Sequence, residues 1–195
     1  FLATWADVEA QTYGFSRRAN AGLPGLNCPI LMTLGEVGKV SLHLTNTTKN
    51  LLAPNIRTEI STPVTLSLST EFVRLAAGES KTMEWTIGPG NIDLEKFILV
   101  DVLIYSSYPL PNRESMCGVF IVKLPTDGRT IVTIMTILSL LGMGFGLYGL
   151  YRSPSLTQRI LIARRPLLIL SVLIAVAIFV TFLGWWWPGL IFLVL

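Results

Sequence analysis

The chain has 195 residues, 51% of them hydrophobic and 14% charged, with a mean hydropathy of +0.60. That balance excludes a disordered polypeptide and suits one modest folded domain joined to membrane-spanning segments. The formal charge of +3 is no nucleic-acid footprint: all twelve Asp and Glu lie at or before Asp127, the eleven Lys and Arg up to residue 129 nearly balance them, and the surplus comes from four arginines further on.

Residues 1–27 read as an irregular lead-in. Phe1-Leu2-Ala3-Thr4-Trp5-Ala6 is either the tail of a signal sequence or upstream span, or an apolar start to the mature chain. Asp7 to Leu26 has no clean period and contains Gly14, Gly22, Pro24 and Gly25. From Cys28 the pattern changes to short alternating strands. Val40, Leu42 and Leu44 alternate with Ser41, His43 and Thr45; Val64, Leu66 and Leu68 with Thr65, Ser67 and Ser69; Met83, Trp85 and Ile87 with Thr82, Glu84 and Thr86. A period of two predicts half-buried strands. Phe97 to Tyr105 is apolar throughout except near Asp101 and suits a central strand, and Met116 to Lys123 gives the last one. Turn signals separate them at Asn46-Thr47-Thr48, Ala77-Gly78-Glu79-Ser80, Gly88-Pro89-Gly90-Asn91 and Pro109-Leu110-Pro111-Asn112. Residues 28–125 are therefore expected to form an antiparallel β-sandwich of immunoglobulin-like size, so that the fold class is mainly β with two transmembrane α-helices added.

The run Val40-Ser41-Leu42-His43-Leu44-Thr45-Asn46, followed by Leu75-Ala76-Ala77-Gly78-Glu79-Ser80-Lys81-Thr82-Met83-Glu84-Trp85-Thr86-Ile87, resembles bacterial immunoglobulin-like ectodomains of the adhesion-module kind. In that pattern a strand ends in Asn, and a later turn of leucine, small residues and Gly-Glu-Ser leads into a strand carrying Trp. The resemblance covers residues 28–123. It implies a sandwich and no particular ligand.

This domain carries no recognisable catalytic or metal-binding pattern. His43, the one histidine, sits on the strand face opposite Val40, Leu42 and Leu44, and no serine or cysteine motif surrounds it. Cys28, Cys117 and His43 are too few and too scattered for a metal site; a copper site of the cupredoxin kind needs a second His beside Met116-Cys117. No catalytic residue, metal ligand or cofactor is expected. Asn46-Thr47-Thr48 is an acceptor sequon that matters only in a glycosylating secretory pathway.

Two long apolar runs follow. Residues 130–151 and 167–187 each have the length of a membrane span, and neither Ile131 to Tyr151 nor Leu167 to Trp187 holds a charge. Between them, residues 152–166 carry Arg152, Arg159, Arg164 and Arg165 and no acid, which predicts a cytoplasmic loop in contact with anionic lipid headgroups. The sandwich then lies outside, in a bacterial plasma membrane by expectation. Pro166 is placed at the start of the second helix. Tyr148 and Tyr151 mark the inner interface; Trp185, Trp186 and Trp187 mark the outer one, with Pro188 and Gly189 breaking the helix there. Residues 188–195 form an apolar tail too short to span. Gly144-Phe145-Gly146-Leu147-Tyr148-Gly149 matches a dinucleotide fingerprint in letters only, since no strand precedes it. Ser139, Gly142, Gly146 and Gly149 read instead as a small-residue face for packing against the second helix or another subunit.

An outward domain stands in an oxidising compartment, so Cys28, in the first strand, and Cys117, in the last, are expected to pair; two buried free thiols are the alternative. Neither span contains an ionisable residue, which argues against a pump or channel. The function expected is an accessory, non-catalytic subunit of a multi-subunit membrane complex, with other membrane protein subunits and lipid as partners and no nucleic acid. The alternative is a stand-alone, membrane-tethered surface binding or adhesion module. An enzyme with an unrecognised outer-interface site is the third possibility and offers no candidate residue.

Overall fold

The structure is a computed structural model that describes residues 2–15, 19, 21–105, 111–152 and 158–182. The chain divides into two compact units, Phe1–Arg129 and Thr130–Leu195.

The first unit opens with helix α1 (Leu2–Thr12) and continues through β1 (Ala21–Gly22), β2 (Leu26–Asn27), β3 (Leu31–Thr33), β4 (Gly38–Thr45), β5 (Asn55–Ser61), β6 (Leu66–Phe72), β7 (Ser80–Ile87), β8 (Phe97–Tyr105) and β9 (Arg113–Val122). Two sheets form: β2-β4-β7, and a six-stranded sheet ordered β1-β9-β8-β5-β6 with β3 also on β9. Apart from β1 and β3, which run parallel to β9, all pairings are antiparallel. The division of strands is that of an immunoglobulin-like sandwich, with the fourth main strand, β6, on the larger sheet. Inward residues of both sheets share one core: Val40, Leu42, Met83, Trp85 and Ile87 face Ile56, Ile98, Val100, Val102 and Val119. Burying each such side chain contributes about 1.5–3 kcal/mol.

The alternation at Val40–Leu44 and Met83–Ile87 thus sets the inward face as the sequence suggests. Four other expectations, besides the placement of Cys28, need correction. The first concerns the lead-in. Residues 2–12 form a helix, because three alanines and no Gly or Pro favour it. It lies on the outer face of β9 and β8, with Ala6 and Ala10 fully buried and the Trp5 ring 5.5 Å from Phe97 and 5.7 Å from Phe120. This cover explains why β8 is apolar throughout: Ile98, Val100 and Val102 face the core while Phe97, Leu99 and Leu103 face outward and are equally buried. The second concerns Val64, Leu66 and Leu68. The register Ser61↔Leu66 and Glu59↔Leu68 turns the leucines to the outer face, and Val64 stands 90% exposed in the turn. The strand β6 is an edge strand whose inward side is polar, Glu71 accepting from Trp85 Nε1 of the smaller sheet at 2.9 Å, so alternation alone could not tell which face was inside. The third is a strand not anticipated, β5, whose Arg57 and Glu59 mask the alternation of Ile56, Thr58 and Ile60.

The cysteines do pair: Cys28 and Cys117 form a disulfide with Cα atoms 6.5 Å apart and a sequence separation of 89. Closing a loop of that size stabilises by about 4–5 kcal/mol in the chain-entropy description. Cys28 is not in a strand, however. It sits in the crossing from β2 on one sheet to β3 on the other, and the bond pins that crossing to β9.

The second unit holds α2 (Gly128–Arg152) and α3 (Gln158–Phe182). Here lies the fourth correction. Pro166 is inside α3 and not at its start, and residues 158–166 of the expected basic loop are helical. The residues before Pro166 are good helix formers, so the helix runs through it; the missing N–H leaves one carbonyl without its intrahelical donor. The segment Gly128–Gly149, 22 residues with a mean hydropathy of 2.0, is long and apolar enough to cross a membrane, and of its residues only Gly128 at the start is buried. The apolar stretch of α3 within the described residues, Pro166–Phe179, is shorter.

Candidate functional site

The feature that bears on function is an uncovered apolar helix, α2. At 1.5 Å per residue the 25 residues of α2 extend about 37 Å, more than the hydrocarbon thickness of a bilayer. Its large side chains stand open, Met135 at 64% exposure and Phe145 at 72%. A soluble protein rarely leaves so much contiguous apolar surface uncovered. Of the expected packing face, Ser139, Gly142, Gly146 and Gly149 are all exposed, and a Cβ added at any of the three glycines meets no atom within 4 Å. The face is therefore present and open.

At the C-terminal end of α2 the expected interfacial and basic residues meet. Arg152 donates to the Tyr148 hydroxyl one turn back, and its guanidinium carbon stands 5.5 Å from the Tyr148 ring centroid. Tyr151 is exposed beside them. Arg159, Arg164 and Arg165 lie in the first turns of α3. Trp185, Trp186, Trp187 and the tail 188–195 lie outside the described residues.

A contact between Glu36 and Gly128 is not legible in the sequence. Glu36, in the β3–β4 loop, accepts hydrogen bonds at Oε2 from the Thr33 N–H (2.9 Å) and from the Gly128 N–H (2.8 Å). A carboxylate at the first residues of α2 satisfies a free donor and complements the helix dipole. Gly128 is required there, because a Cβ would lie 2.0 Å from the Leu31 carbonyl oxygen. A similar contact docks α1. A Cβ on Gly118 would lie 1.9 Å from the Ala6 carbonyl oxygen, and the Gly118 N–H donates to Asp7 Oδ1 at 3.1 Å. That N–H falls between the stretches of β9 that β1 and β3 pair. Burial pushes the Asp7 carboxyl up to about 6, against the lowering effect of that hydrogen bond. Burial and the bond to Asp93 push the Tyr13 hydroxyl up to about 12.

At the opposite end of the sandwich lies a cleft of about 530 Å³, walled by Leu23, Pro24, Leu52, Pro54 and Ile104, with His43 and Arg113 at its edge. His43 is exposed, its Nδ1 3.1 Å from Thr82 Oγ1. Asn46, also at this cleft, is 1% exposed and fully engaged: Nδ2 donates to the carbonyls of Asn50, Leu75 and Ala76. The sequon asparagine is thus a buried staple. It joins the end of β4 to the turn Leu75-Ala76-Ala77-Gly78, the two stretches on which the family resemblance rested. Among the described residues no three His, Cys, Asp or Glu side chains converge to hold a metal. Two acidic residues unnoticed as a pair, Glu59 and Asp101, stand opposite each other on β5 and β8 at 2% and 1% exposure, with Arg57 Nη2 2.7 Å from Glu59 Oε1.

No protein-family model and no curated protein matches the chain. Among solved structures it is similar to the CARDB domain of a Pyrococcus furiosus protein in complex with di-metal ions, at 14% identity and a TM-score of 0.40 over 55% of this chain and 98% of that one. It is similar also to a β-glucuronidase of Bacteroides uniformis (12% identity, TM-score 0.37, 48% of this chain and 12% of that). A β-glucosidase of Listeria innocua in complex with glucose gives 18% identity and a TM-score of 0.34 over 50% of this chain and 15% of that. The chain thus spans only a small part of either glycosidase, and likeness at this level says nothing of activity.

Proposed function

We propose that the chain is an accessory, non-catalytic subunit of a multi-subunit membrane complex. In this reading α2 and α3 cross the membrane as a hairpin, packed on helices of partner subunits. Arg152, Arg159, Arg164 and Arg165 lie on the cytoplasmic side among anionic headgroups, and the sandwich caps the complex outside. The observation that carries the reading is the open face of Ser139, Gly142, Gly146 and Gly149 on an apolar helix that is uncovered beyond its first residue. Small residues let membrane helices approach closely, and such a face is used when a second helix lies against it. A single helix would suffice to tether a binding module, so the apolar stretch in α3 favours the subunit over the tether.

The test is purification of the tagged full chain in a mild detergent with mass spectrometry of what accompanies it. Stoichiometric membrane partners, lost when Gly142 and Gly146 are both changed to Leu, support the subunit. A clean monomer sinks it. The far-end cleft beside His43 and Arg113 then supports the alternative, a stand-alone surface binding module.

A further inference from the structure

We propose that the end of the sandwich from which the chain leaves toward α2 is an apolar rim seated in the outer interface of the lipid bilayer. This rests on the reading of α2 as a membrane span. The rim is made by four loops: β3–β4, β5–β6, β7–β8 and the residues after β9. They expose Val64 at 90%, Val37 at 66%, Leu94 at 53%, Leu124 at 52% and Leu34 at 41%. At the opposite end the described residues expose Leu51 at 67%, Phe72 at 58% and Tyr105 at 37%, of which only Leu51 is aliphatic. The four loops meet in one surface, since Leu34, Pro63, Pro89, Leu94 and Lys123 line a common cleft of about 580 Å³.

Two further observations point to lipid. Leu94 and Glu95 both have positive φ, 49° and 59°, an uncommon conformation for residues with a side chain. A tight turn holds them there, with the Lys96 and Phe97 N–H groups on the Asp93 carbonyl and the Leu94 N–H on Asp93 Oδ1. The outcome is a leucine presented outward where folding alone would place a glycine or asparagine. The second observation is the attachment. Gly128 is bound to Glu36 at this same end, and from Thr130 to Tyr151 the sequence carries no charge. A chain advances at most about 3.5 Å per residue, so Gly128 lies within several ångströms of Thr130, where the uncharged run begins. Water-exposed aliphatic side chains at that depth partition into the interface. Lys96 and Lys123 stand beside Asp93 and Glu95, so net charge does not drive the contact.

The test uses the full chain in phosphatidylcholine nanodiscs with a nitroxide spin label on one introduced cysteine at a time: Val37→Cys and Val64→Cys on the rim, Lys49→Cys at the far end, Leu138→Cys in α2. Collision with a water-soluble nickel chelate is measured. The rim labels should collide several-fold less often than the Lys49 label, and the Leu138 label least of all. Rim labels as accessible as the one at Lys49, with Leu138 shielded, would overturn the proposal and leave the spanning reading standing. An accessible Leu138 would overturn the spanning reading and the proposal with it. Rim labels open in the nanodisc but shielded when co-purified subunits are present would assign the rim to a protein partner and overturn the lipid assignment.

Discussion

Asp7→Asn should strengthen the docking of α1 at neutral and alkaline pH. Asp7 lies under the helix against β9, and burial raises its carboxyl from 3.8 to about 6. Because the folded value lies above the unfolded one, docking favours the protonated form. That stabilisation is fully present below about pH 3.8 and is lost as pH rises through about 6. Each pKa unit is worth about 1.4 kcal/mol, so at pH 8 the ionised carboxylate costs docking about 3 kcal/mol relative to the acid. Asparagine keeps an oxygen to accept the Gly118 N–H and carries no charge. Hydrogen exchange of residues 2–12 in the full chain, corrected for intrinsic rates, reads the opening of α1 directly. Exchange in Asp7→Asn should be about a hundredfold slower than in the parent at pH 8, and within a few-fold at pH 4. Faster exchange in the variant at pH 8 would refute the reasoning, because it would mean that a neighbouring cation stabilises the ionised form.

Gly118→Ala places a methyl group against the α1 backbone, which cannot rotate away. It should cost about 3 kcal/mol or more, freeing residues 2–12 to exchange while the core amides of β8 stay protected; undiminished protection of α1 would show the contact to be wrong. Asn46→Ala strips three carbonyls of their donor and should lower stability by about 2–4 kcal/mol, read by urea unfolding. The same burial predicts that the folded parent, expressed in a glycosylating host, gains no glycan mass at Asn46.

The sequence by itself determined the features that depend on local pattern. Alternation at Val40–Leu44 and Met83–Ile87 fixed which side chains enter the core, because both strands lie fully across from the other sheet. The uncharged run from Ile131 marked α2, since hydrocarbon solvent and helix geometry act on single segments. What depended on two distant segments was not legible. The helix α1 has little period of its own and is recognisable only as the cover that β8 requires. The strand β6 shows a clean alternation, yet its apolar residues face outward because its register on β5 decides the face. The Glu36–Gly128 clamp joins residues 92 apart, and neither residue type signals the other. Local periodicity reports the solvent each residue prefers. Which backbone groups and carboxylates come within hydrogen-bonding distance is decided by the tertiary fold, through chain paths that no short window of sequence contains.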